Sequence, residues 1–149
     1  MFSRIVVGTD GSADATEAVK AAGQLASLAP AGKVHVVMAY QPLSPAELRQ
    51  LDRQLPAEFH DQLTGDLVAR AALEQASGLL TARGIDHTTR EMNLHPAEAV
   101  LALAKEVGAD VIVVGSRGEG AIDRLRHGST STRVMHDAPC SVLVVKHAH

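Results

Sequence analysis

The sequence predicts an α/β fold, a parallel sheet buried between helices on both faces. Three observations carry this. Short Val/Ile-rich runs recur along the chain, with Ile5-Val6-Val7 and Val111-Ile112-Val113-Val114 among them, and a strand apolar at successive positions is one covered on both faces. Segments with apolar residues at helical spacing lie between these runs, so strand and helix alternate. Aromatics make up only 2% of a chain that is 46% hydrophobic, which leaves Val, Leu, Ile and Ala to build the core.

The elements follow in order. Ile5-Val6-Val7, bounded by Gly8, is the first strand. Ser12 caps the helix after it, where Ala15, Ala18, Val19, Ala22, Leu25 and Ala26 repeat at helical spacing. The run APAG (29–32) ends that helix, KVHVVMAY (33–40) is the second strand, and the prolines of QPLSP (41–45) break it. Residues 46–64 are polar and contain leucines, and they read as a helical or irregular insertion. A helix is expected from about Asp66 to Arg83, with Ala69, Ala72, Leu73, Ala76 and Leu80 on one face and Gly84 closing it. IDHTTREM (85–92) alternates weakly and reads as a third strand near an edge. Pro96 opens a helix carrying Ala97, Val100, Leu101, Ala104 and Val107, closed by Gly108. DVIVVG (110–115) is the fourth strand, Ser129 to Asp137 is helical, and SVLVVK (141–146) is the fifth strand.

Composition bounds the function. A chain of 149 residues is expected to form one domain, 1–149, with a sizeable core. Its net charge of -3 argues against a nucleic-acid partner held by bulk charge. Cys140 is the only cysteine, so no intrachain disulfide forms, which is consistent with a reducing cytosol. There is no apolar run of the roughly 18 residues that a membrane span needs and no signal-peptide pattern. The expected location is the cytoplasm.

Two constellations fall where strands run into helices. In VIVVGSRGEGAIDRLRHGSTSTRV (111–134), Gly115 and Gly118 follow the fourth strand, and Gly128-Ser129 opens a helix after nine further residues. Ligands of open parallel sheets sit outside the carboxyl ends of the strands. Glycines there let the main chain approach a ligand, and a helix start offers free N–H groups suited to phosphate. Ser129, Thr130, Ser131 and Thr132 add hydroxyl donors, and Arg117, Arg124, Arg126 and His127 add charge. Gly115 and Gly118 alone read equally well as turn glycines, and Ser129 alone as a plain helix cap. The second constellation is GTDGS (8–12), where the Asp10 carboxylate either accepts hydrogen bonds from a ribose or base or orders the turn; the two readings stand level.

Several familiar chemistries are excluded. There is no G-x-x-x-x-G-K-[ST] motif. Gly118 and Gly120 begin a dinucleotide fingerprint that Asp123 breaks. A receiver-type phosphoacceptor lacks its second acid beside Asp10 and its Asp after the third strand, and Ser12 breaks a D-x-D phosphatase motif. The histidines are scattered without ligand spacing, and Cys140 reads as a structural thiol.

With these residues in view, the chain resembles the universal stress protein family. Gly115-x2-Gly118-x9-Gly128-Ser129 is similar to the nucleotide-binding pattern of its ATP-binding branch, IVVGTDGS to its opening strand and loop, and HDAPCSVLVVK to its closing segment. The resemblance implies a Rossmann-like, adenine nucleotide alpha hydrolase-like sheet of five parallel strands in the order 3-2-1-4-5. It implies ATP as the ligand, with or without Mg2+. Gly8, Thr9 and Asp10 would meet the adenosine, Ala39 and Val114 would pack on the adenine, Gly115, Arg117 and Gly118 would follow the ribose and phosphates, and Gly128, Ser129, Thr130 and Ser131 would hold the phosphates. Ala39 is smaller than the branched residue usual there. The function so implied is a nucleotide-dependent stress-response switch or sensor with slow hydrolysis at most, since no phosphate-bound lysine and no aimed base are visible. The alternatives are a dimeric interaction protein whose pocket stays empty, and a slow ATPase or nucleotide transferase. The apolar fifth strand, at a sheet edge in the implied order, points to a homodimer paired through residues 141–146.

Overall fold

A computed structural model of the chain describes residues 2–40, 45–54, 65–116 and 129–146. In chain order the elements are β1 (Arg4–Gly8), α1 (Ala13–Ser27), β2 (Lys33–Ala39), α2 (Pro45–Gln54), α3 (Gly65–Ala82), β3 (Asp86–Met92), α4 (Pro96–Val107), β4 (Val111–Gly115), α5 (Ser129–Asp137) and β5 (Ser141–Val145). The sheet order is β3-β2-β1-β4-β5, and all four pairings are parallel. This is the order that the family resemblance implies. The insertion resolves in part into α2, while 41–44 and 55–64 lie outside the described residues.

Local chemistry explains the ends of the helices. Ser12 is extended and its side chain accepts from the Ala15 N–H at 3.2 Å, capping α1. Pro96 starts α4, and Gly108 ends it in the left-handed conformation, at φ 63 and ψ 53, where a side chain would be strained.

The sheet divides two apolar layers. Ile5, Val7, Val34, Val36, Val111 and Val113 face α1 and α3. Val6, Val37, Ile112 and Val114 face α4, joined by Val134 from α5. The central strands are sealed on both sides, and Ile5, Val6, Val7, Ile112 and Val113 have no exposed surface. The edge strand β3 instead carries exposed Asp86, Thr88, Thr89 and Arg90. It is fastened to α3 through His87, whose Nε2 lies 2.7 Å from the Ser77 hydroxyl and whose Nδ1 lies 2.8 Å from the Ile85 carbonyl.

At the amino ends of the strands, Asp110 ties β4 to β1. Its Oδ2 accepts from the Ser3 N–H (3.1 Å), the Ser3 hydroxyl (3.0 Å) and the Arg4 N–H (2.8 Å). These hydrogen bonds, the Arg4 N–H foremost, hold its carboxyl below the ordinary value of 3.8. A carboxylate with a lowered folded-state pKa contributes stability that is complete above its unfolded value and is lost as pH falls through the folded one. Asp110→Asn is therefore expected to be less stable than the parent at about pH 7, with the gap closing toward about pH 2.5. Urea unfolding at both pH values checks this, and an unchanged gap in acid would show that the charge is not what stabilises.

Candidate functional site

The strand order reverses between β1 and β4, so their carboxyl ends frame the crevice where a ligand of such a sheet sits. At the end of β1, Gly8 lies under α4, and a Cβ there would stand 2.8 Å from Val100 Cγ2. The glycine thus answers a packing demand. Thr9 is buried, its N–H donates to the Val37 carbonyl at 3.0 Å, and its Oγ1 accepts from the Gly11 N–H at 3.2 Å. Asp10 Oδ1 accepts from the Ser12 N–H at 2.8 Å. The turn-ordering role of Asp10 is therefore present, built around Gly11 at φ 82.

Across the sheet, Ala39 is half-buried and Val114 is 4% exposed, both packed with the α4-side cluster. Side chains alternate along a strand, so Gly8, Ala39 and Val114 share one face with Val6, Val37 and Ile112. The result is a shelf of small and apolar groups at the ends of three neighbouring strands.

Gly115 faces the other way, into α1. A Cβ at this position would meet the Asp14 carbonyl carbon and oxygen at 3.0 Å and Asp14 Cβ at 3.1 Å. The first turn of α1 can press on the end of β4 because Gly115 lacks a side chain. The next residue, Ser116, is held from two sides. Its N–H donates to the Val145 carbonyl at 2.9 Å, and its hydroxyl donates to Asp14 Oδ2 at 3.4 Å. Neither Asp14 nor Ser116 stood out in the sequence. A carboxylate in the first turn of a helix that opens at a strand's carboxyl end was the available signal.

The first turns of α1 and α5 have opposite character. In α1 the first turn is already occupied by the Ser12 cap and the buried carboxylate of Asp14. In α5 the first turn has no acidic residue; Thr130 is half-buried and Ser131 is 5% exposed. Helix N-termini attract anions, and of this pair α5 is the one left suited to phosphate. Arg117, Gly118 and Gly128 lie outside the described residues, as does the Ser129 side chain. The structure thus brings Gly8, Thr9, Asp10, Val114 and Gly115 to adjoining strand ends and sets Thr130 and Ser131 in the first turn of α5.

Among the described residues, no group of three or more His, Cys, Asp or Glu side chains could hold a metal ion. Burial pushes the Cys140 thiol up, and the Asp110 charge adds to this, which suits a packed thiol rather than a nucleophile. No helix among the described residues is long and apolar enough to cross a membrane.

Comparison with known proteins extends these observations. The sequence model of the universal stress protein family matches residues 1–146. A universal stress protein from Thermus aquaticus is 32% identical over 98% of this chain and 100% of its own length. One from Bacillus subtilis is 30% identical over 98% of this chain and 100% of its own. A solved structure, a universal stress protein in complex with cAMP, is 30% identical and superposes with a TM-score of 0.71, covering 99% of each chain.

Proposed function

The chain belongs to the universal stress protein family, and from that premise we propose that it binds ATP as a nucleotide-dependent switch or sensor in a cytoplasmic stress response. The observation that carries this reading is the unequal charge of two helix starts, acidic in the first turn of α1 and free of acid in that of α5. A nucleotide has an apolar base at one end and anions at the other. The shelf of Gly8, Ala39 and Val114 suits the base, Thr9 and Asp10 the nucleoside, and the acid-free start of α5 the phosphates. Gly115, Arg117 and Gly118 would carry the chain past the ribose and phosphates, with Gly128, Ser129, Thr130 and Ser131 receiving the latter. That a 30% identical relative was crystallised with cAMP supports an adenine ligand. Mg2+ would arrive with the phosphates.

The role proposed is binding rather than fast turnover. A second reading concerns assembly. β5 is an edge strand whose exposed Leu143 has no charged neighbour between residues 141 and 145, and this favours a homodimer joined through that strand.

Calorimetry on nucleotide-stripped protein tests the binding claim. Micromolar affinity for ATP, about -8 kcal/mol, is expected for the wild type. Gly118→Val should weaken it by roughly a hundredfold or more, the equivalent of about 3 kcal/mol, by placing a branched side chain where the main chain approaches the ligand. Unaltered ATP affinity in a folded Gly118→Val protein would defeat the site assignment.

A further inference from the structure

We propose that Asp14 is a specificity-determining residue that weakens binding as the nucleotide's negative charge rises, so that the site answers to the phosphorylation state of the adenine nucleotide instead of simply preferring the triphosphate. This rests on the nucleotide reading of the crevice and names what regulates it.

Asp14 is 8% exposed, so its carboxylate is largely withdrawn from screening water. Its backbone and Cβ lie 3.0–3.1 Å from where a Gly115 side chain would begin, and its Oδ2 accepts from Ser116 at 3.4 Å. The carboxylate is thus held at the carboxyl end of β4, and Ser116 is in turn held by the Val145 carbonyl. Mobile surface acids swing away from an approaching anion, but this one is pinned between α1 and β4. Capping α1 does not require it, since Ser12 already supplies the cap. At an effective dielectric near 20, like charges about 12 Å apart alter an equilibrium by about tenfold, and closer ones by more. ATP carries more charge than AMP, and adenosine carries none, so the penalty is graded along the series.

The test compares ATP, AMP and adenosine by calorimetry on the stripped full-length protein, its Asp14→Asn variant and its Ser116→Ala variant. Asp14→Asn removes the charge and keeps an acceptor oxygen. It should raise the ratio of ATP to adenosine affinity by about tenfold or more, with the AMP ratio moving less. Ser116→Ala keeps the charge and removes one of its tethers, so it should raise that ratio by less than Asp14→Asn does. Where Asp14→Asn does not fold, Asp14→Ser replaces it with the same expectation. Equal changes for all three ligands, or a ratio shift in Ser116→Ala as large as in Asp14→Asn, would assign the effect to the tether and overturn the proposal. Absence of binding to any of the three by the wild type would overturn the nucleotide reading itself and this inference with it. Binding with an unmoved ratio would overturn the inference alone.

Discussion

Gly32→Ala is expected to destabilise the protein by about 3 kcal/mol or more, a fall in melting temperature of roughly 6–12 °C for a chain of this size. The reason is the short return from α1 to β2. The Ala29 N–H donates to the Ala26 carbonyl, the Gly32 N–H donates to the Ala29 carbonyl, and the Lys33 N–H donates to the Ser3 carbonyl at 2.8 Å. The chain therefore doubles back across the last turn of the helix it has just left. A Cβ on Gly32 would overlap the Ala26 oxygen and stand 2.8 Å from its carbonyl carbon and Cα. Those are backbone atoms and cannot rotate aside. Ala26 is 3% exposed within the core, and β2 is paired on both sides, so neither wall yields cheaply. Gly78→Ala is the control. It lies inside α3 with nothing within 4 Å of a new Cβ, and there alanine should stabilise by about 0.5–1 kcal/mol. Denaturant unfolding of both variants decides the matter. A Gly32→Ala protein within 1 kcal/mol of its parent would mean that the turn relaxes freely.

Light scattering after gel filtration should give a mass twice the 15.6 kDa of one chain, and Leu143→Lys should return it to the mass of a single chain at micromolar concentration. The two edges of the sheet are unlike. β3 displays Asp86, Thr88, Thr89 and Arg90 to solvent, and charged edges discourage further pairing. β5 has no such defence, with Leu143 at 38% exposure and Met135 of α5 at 52%. Two copies meeting about a two-fold axis would cover one another's β5 with a single self-complementary contact. A lysine at 143 brings two like charges to that contact and gives β5 the character that β3 already has. Circular dichroism verifies that the variant still folds. A wild-type mass of 15.6 kDa, or a Leu143→Lys protein that still elutes at twice that mass, would rule the pairing out.

Most of the fold was legible because double-sided burial leaves an apolar trace. β1 and β4 touch both layers and hold no polar side chain between Ile5 and Val7 or between Val111 and Val114. β3 was fainter because much of it is exposed, so only a weak alternation marks it. The insertion left helix and irregular chain equally open, and α2 settles residues 45–54. At the crevice, the glycines could be found by spacing but not explained by it. The partner that demands Gly8 is Val100, and the partner that demands Gly115 is Asp14. Those contacts join residues roughly a hundred positions apart, and local pattern carries no trace of them. The same is true of Gly32, whose tightness depends on the path of the turn rather than on any residue type near it.

The central place of β1 also governs how the chain acquires its shape during synthesis. β1 is the first strand to be made, and β2 follows within reach. Its other neighbour, β4, begins at Val111, and the Ser3–Asp110 bond spans 107 residues. Until that stretch has been made, a strand that is apolar from Ile5 to Val7 has one side unpaired. Closing it requires contacts of long sequence separation, which slow folding. A nascent or truncated chain lacking β4 thus presents an open apolar seam at its middle rather than at its rim, and that is the form most in need of a chaperone's protection.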